Sequence, residues 1–297
     1  MMSVFKGDTN YEKSLSSTFD VTFATVKRNL ITDWQYKSDI VIQLLWTLTN
    51  LIAYGFLGLA VGTSTGKFAP PYDMSLFLLS SSVYWTLFTG NYEETAFCLR
   101  EEAARGTMGY LITNNVDALG IMVGRYISSS IKFFGIFLIT TIPTFALVKN
   151  NGVNLLPHTA LEFFMLVPLI LLAYLFMLAI SLFIGSITLL VKQTTTIVRI
   201  VLYLVRILAG YFFTIKFFGQ YSGVLSTIIV CLPITTGQYA LRKYLIEHNT
   251  AADFFGLAYW QVILINIAIC AVLLVAMYFF VKAMTKLARK RGTIEFY

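Results

Sequence analysis

Residues 99–111 read LREEAARGTMGYL, and the setting of this stretch decides the fold. Four charges, Arg100, Glu101, Glu102 and Arg105, fall within six residues, followed by Gly106-Thr107 and then apolar side chains. Working outward, the flanks are apolar for lengths near the roughly 20 residues that carry a helix across a bilayer. The whole chain is 57% hydrophobic and 12% charged, against roughly half apolar and a quarter charged in soluble domains. A polytopic membrane protein follows, and no polar stretch is long enough to form a separate soluble domain of useful size.

Six apolar runs are read as spans, at about residues 40–61, 75–97, 119–148, 161–191, 197–218 and 258–281. The fourth exceeds what a crossing requires, so it tilts or projects beyond the bilayer. Residues 224–232 are apolar but rise only about 14 Å as a helix, less than half the hydrocarbon thickness. Residues 222–249 therefore read as short helices that dip into the outer leaflet and return, with backbone sheltered by protein or a wet cavity. The chain divides into 1–38, a cytoplasmic N-terminus, then 39–281, the six-span domain, and 282–297, a basic tail. The N-terminus lacks the apolar core of a cleavable signal peptide.

The formal net charge of +7 points to topology and not to nucleic acid. Lys6, Lys13, Lys27, Arg28 and Lys37 precede the first span, and Lys282, Lys286, Arg289, Lys290 and Arg291 follow the last. By the positive-inside rule both termini are cytoplasmic in a multi-pass protein of the cell membrane, and residues 99–111 lie on the same side. Ahead of the first span, Phe19, Phe23, Val26, Leu30 and Trp34 recur at helical spacing, as in an amphipathic helix of the membrane interface.

Catalytic signatures are scarce. His158 and His248 are far apart, and Cys98, Cys231 and Cys270 have neither metal-ligand nor disulfide spacing. No phosphate-binding Gly-rich loop is present. The spans show no interior Asp or Glu, with Glu93 and Glu94 assigned to an inner end. Positive charge, by contrast, runs deep: Lys132 lies about 13 residues, roughly 20 Å, into the third span, and Arg206 is as deep in the fifth. Arg125 and Arg199 each precede a deep cation by seven residues, close to two helical turns and thus on one face. These residues either contact backbone carbonyls or snorkel into a hydrated crevice, with no ligand role, or they line a route for an anionic or phosphate-bearing substrate. The aromatics Tyr84, Trp85 and Phe88 read first as interface belts and lipid-facing surface.

Within the opening stretch, Glu101 and Arg105 stand four apart with the acid first, the favourable order for a helical ion pair. Gly106 permits a change of direction, Thr107 can cap a second helix, and Met108, Leu111 and Ile112 form a small apolar stripe on it. Such a helix–break–helix, about residues 98–115, suits a partner's groove.

Residues 100–130, REEAARGTMGYLITNNVDALGIMVGRYISSS, resemble the permease subunits of type-two ABC exporters. The matching marks are Glu101 or Glu102, Gly106-Thr107, Leu111 and Gly124-Arg125. Gly109 departs from the polar residue usual there, as does the Asn-Asn-Val that follows. The resemblance implies an all-α transmembrane domain with an interfacial N-terminal helix, six spans, a cytoplasmic coupling helix between spans two and three, and external helices between spans five and six. It implies a separate cytoplasmic ABC ATPase that binds ATP and Mg2+, with no cofactor in this chain, and a second permease chain, identical or not. Arg100, Glu101, Glu102, Arg105, Gly106, Thr107, Met108 and Leu111 are then the coupling residues. The exported substrate stays open between an anionic amphiphile, a lipid-linked glycan, a drug and a peptide. A stand-alone channel or ion-coupled carrier is the rival reading, and a membrane-bound enzyme would need catalytic groups that the sequence does not offer.

Overall fold

A computed structural model describes residues 12–62, 74–114, 116–149, 160–191, 194–212, 223–243, 253–254 and 257–291. The described chain is helical apart from turns and a two-residue antiparallel pairing of β1 (Asp253–Phe254) with β2 (Leu257–Ala258). Helix is what an apolar run must form where no water is present to satisfy its N–H and C=O groups. In order come α1 (Glu12–Gln35), α2 (Lys37–Gly62), α3 (Met74–Ala104), α4 (Met108–Thr113) and α5 (Ala118–Lys149). They are followed by α6 (Ala160–Ile187), α7 (Thr195–Leu208), α8 (Gly223–Val230), α9 (Pro233–Arg242) and α10 (Tyr259–Arg291).

Among the described residues, four stretches are long and apolar enough to cross a membrane: Lys37–Gly58, Ala118–Thr141, Phe164–Ile187 and Tyr259–Lys290. Helix α3 has the length, at 31 residues, but carries Glu93, Glu94, Arg100, Glu101 and Glu102 toward its end. Helix α7 has 14 residues and rises about 21 Å, short of the roughly 30 Å hydrocarbon core. The remainder of the expected fifth span, residues 213–218, lies outside the described residues, as do 244–249 of the expected external helices.

Helix α9 enters the bundle and not merely its surface, with Ile234, Thr235, Thr236 and Gln238 buried. Its polar groups are met by neighbours. The Tyr84 hydroxyl donates to the Ile234 carbonyl at 3.0 Å, Trp85 Nε1 donates to Gln238 Oε1 at 3.0 Å, and Asn266 Nδ2 donates to Thr236 Oγ1 at 2.7 Å. A short helix can sit at membrane depth only with such partners. These contacts place Tyr84 and Trp85 in the core and not in a lipid-facing belt.

Helix α1 runs parallel to α5, and glycine makes this possible. A Cβ on Gly120 would lie 2.9 Å from the Thr18 carbonyl oxygen, and one on Gly124 2.7 Å from that of Thr22. With Ser128 next in the series, small residues every four positions let the two backbones close. Polar contacts then run up the seam: Thr18 Oγ1 to Asp117 Oδ2 at 2.6 Å, Thr22 Oγ1 to the Gly120 carbonyl at 3.2 Å, and Asn29 Nδ2 to Ser128 Oγ at 3.3 Å. The expected amphipathic stripe is present but faces outward: Phe19, Phe23 and Trp34 are exposed, while Thr25 and Asn29 are buried. Helix α1 therefore docks through its polar face.

Candidate functional site

The stretch 99–111 folds as two helices joined by an elbow. Helix α3 does not stop at the expected inner end near residue 97 but continues to Ala104. It closes in a Schellman turn: the Gly106 N–H donates to the Ala103 carbonyl at 3.0 Å and the Thr107 N–H to the Glu102 carbonyl at 3.1 Å. Gly106 takes φ +73°, a conformation that costs other L-residues roughly 1–2 kcal/mol. Helix α4 starts at once, with the Leu111 N–H donating to the Thr107 carbonyl at 3.0 Å.

Side chains tie the elbow to three other helices. Glu102, its side chain 6% exposed, accepts Arg28 of α1 at 2.6 Å and the Thr107 hydroxyl at 2.6 Å. The Thr107 hydroxyl thus turns back onto Glu102 at the end of α3. Glu101 pairs with Arg105 at 3.7 Å, as its spacing predicts, and with Arg125 of α5 at 3.8 Å. Arg100 donates to Thr194 and Thr195 at the start of α7, at 3.2 and 3.0 Å.

The apolar face of α4 corrects the sequence reading. Met108, expected as a docking knob, is 3% exposed and packs with Leu99, Ala103, Met122, Val281 and Ala288 of its own chain. Leu111 packs against the same cluster. Ile112 has a side chain outside the described residues. The outward face is instead Arg105, Gly106, Thr107, Gly109 and Tyr110, and Tyr110 is 74% exposed. A six-residue helix has under two turns, so a stripe drawn on it has no phase until its packing is known.

The four cations Arg125, Lys132, Arg199 and Arg206 separate into two groups, one on each flank of α3. Arg125 and Lys132 are neutralised: Arg125 pairs with Glu94 at 3.3 Å, and Lys132 pairs with Glu94 and, at 3.7 Å, with Asp33 of α1. This overturns the premise of deep cations without counter-acids. Glu94 was expected at an inner helix end, but α3 runs ten residues beyond it to Ala104, about 15 Å. Asp33 and Glu94 are the residues that sequence reasoning missed.

Arg199 and Arg206 lie on the opposite flank. Arg206 Nη2 donates to Thr89 Oγ1 at 3.2 Å. Its guanidinium carbon stands 5.0 Å from the Tyr211 ring centre, 5.4 Å from Trp85 and 5.7 Å from Tyr203. Glu93 is within electrostatic reach of both arginines but forms no ion pair with either among the described residues. Tyr92 holds the two helices together by donating to the Val198 carbonyl at 3.0 Å.

A comparison with curated proteins finds no match. The family model of the ABC-2 type transporter matches residues 20–246, from within α1, through the elbow and both cation groups, to beyond α9. An elbow clamped to three helices, membrane-length apolar helices and this match over most of the chain lead to one conclusion: the chain belongs to the ABC-2 type transporter family, as a permease component in the membrane.

Proposed function

We propose that this chain is the membrane-spanning subunit of an ATP-driven exporter, working as a pair of permease chains with a separate cytoplasmic ATPase that holds ATP and Mg2+. Six crossings, with α3 and α7 as the second and fifth, leave both termini in the cytoplasm of the cell membrane. The observation that carries this reading is the elbow at Gly106. A push on its outward face, Arg105 to Tyr110, is passed to α1 through Arg28, to α5 through Arg125 and to α7 through Arg100. Ion pairs and a Schellman turn make the joint stiff enough to transmit displacement and not absorb it.

The test is the purified full chain with its ATPase in proteoliposomes. Gly106→Pro cannot adopt φ +73° because proline is fixed near −65°. Paired charge reversal at Glu101 and Arg105 breaks the link to Arg125. Both variants are expected to keep ATP hydrolysis by the complex and to lose transport. Export that survives both changes overturns the coupling role, and purification without any ATP-hydrolysing partner overturns the exporter reading as a whole.

A further inference from the structure

Among the described residues, only one of the two cation groups has carboxylates in ion-pair contact, and the difference carries an inference that rests on the permease reading. We propose that the seam between α3 and α7 binds the phosphate headgroup of an anionic amphiphile, with Arg206 as its contact, steadied by Thr89, and Arg199 as a second cation along the way.

Arg206 has cation–π neighbours but too few acceptors. A guanidinium carries five N–H donors. In Arg206 the hydroxyl of Thr89 takes one, and among the described residues the buried Nε has no acceptor. The rings of Trp85, Tyr203 and Tyr211 hold the charge in place, yet an aromatic face does not replace an oxygen lone pair. The carbonyls at the end of α7 are already engaged, since Val205, Arg206 and Ile207 accept from Ala209, Tyr211 and Gly210. A phosphate presents several acceptor oxygens in the fork geometry that arginine favours, while the Thr89 hydroxyl, which donates to the Trp85 carbonyl at 2.9 Å, only steadies the guanidinium. Arg125 and Lys132, by comparison, already have carboxylates in contact.

The surroundings favour an amphiphile over a free ion. Ile200, Tyr203, Leu204 and Ile207 leave an exposed apolar face on α7 beside Arg206, suited to an acyl chain. Arg199 is exposed on the same helix, seven residues nearer the elbow, about 10 Å by helical rise. Glu93 offsets only one of the two positive charges, so the seam stays cationic.

The probe is dioctanoyl phosphatidylglycerol, titrated onto the full chain in detergent and counted by native mass spectrometry. Arg206→Gln is expected to weaken binding by about tenfold or more, the loss of a charge-assisted contact. Arg206→Lys, which keeps the charge but not the fork, is expected to fall between Arg206→Gln and the unmodified chain. It decides the matter if Arg206→Gln does not fold. Lys286→Gln, an exposed basic position on α10 away from the seam, is expected to bind as the unmodified chain does. Dioctanoyl phosphatidylcholine, a zwitterion, is expected to bind more weakly, and inorganic phosphate at equal concentration is expected not to displace the lipid. Unchanged affinity in both Arg206 variants overturns the site. Equal loss in Lys286→Gln overturns it as diffuse charge attraction, and displacement by phosphate alone overturns the amphiphile. Because the measurement requires no ATPase, it fails or succeeds independently of the elbow variants that test the permease reading.

Discussion

Replacing Glu94 with methionine tests whether the acid–base group between α1, α3 and α5 is a structural joint. The Glu94 side chain is 15% exposed and that of Lys132 7%, so both ions are largely out of water. Removing one partner of a buried pair costs about 3–5 kcal/mol. Here Lys132 keeps Asp33 at 3.7 Å and Arg125 keeps Glu101 at 3.8 Å, so the lower end, about 3 kcal/mol, applies. At about 2–4 °C per kcal/mol for larger domains, the unfolding midpoint should fall by about 6–12 °C. Lys132→Met should also destabilise, by less, because Glu94 retains Arg125. Glu94→Met combined with Lys132→Met replaces the pair by apolar groups, and should recover about 2 kcal/mol relative to the sum of the singles. The assay is thermal unfolding of the full chain in detergent, followed by tryptophan emission, for all four proteins of the cycle. A Glu94→Met shift below about 2 °C, or singles that add within about 0.5 kcal/mol, refutes the joint.

Two further outcomes follow from packing. Gly124→Val places a Cβ 2.7 Å from the Thr22 carbonyl oxygen and 2.7 Å from Thr25 Cβ, neither of them a flexible chain end. It should push α1 off α5 at about 1–3 kcal/mol, and speed alkylation of a cysteine placed at the buried Asn29 position. Met108→Asp should destabilise the chain by about 2–5 kcal/mol, whereas Tyr110→Asp should leave the unfolding midpoint within about 0.5 kcal/mol of the original. A reversed order would show that α4 turns its other face inward.

The elbow was legible because its signals are local: a Glu–Arg pair at four residues, then glycine where the backbone needs positive φ. The long helices were legible for the same reason, since α2 and α10 follow directly from uninterrupted apolar runs. What escaped was long-range. Glu94 was assigned to a helix end because charges after an apolar run look like an interface. Helix α3 in fact carries them onward as one rod, and the acid that neutralises Lys132 sits 38 residues earlier. The apolar stripe on α1 was legible, but the docking of its polar face on α5 was not, because periodicity marks two sides without saying what the polar one meets. Gly120, Gly124 and Ser128 stood in plain sequence, but a spacing of four small residues gains meaning only beside the helix that fills it. Met108 was misjudged because a helix of under two turns has too few positions to fix a phase.

The parallel seating of α1 on α5 has a consequence for how the chain is made. The contacts that hold α1, such as Thr18 to Asp117, join residues 99 positions apart. At about 5–20 residues per second, roughly 5–20 s of synthesis separate the helix from its groove. During that interval its polar face, Thr22, Thr25 and Asn29, has no glycine track to meet, while Phe19, Phe23 and Trp34 are already free to rest on lipid. The outward aromatics thus act as a temporary mooring at the bilayer surface, where α1 waits until α5 has been made.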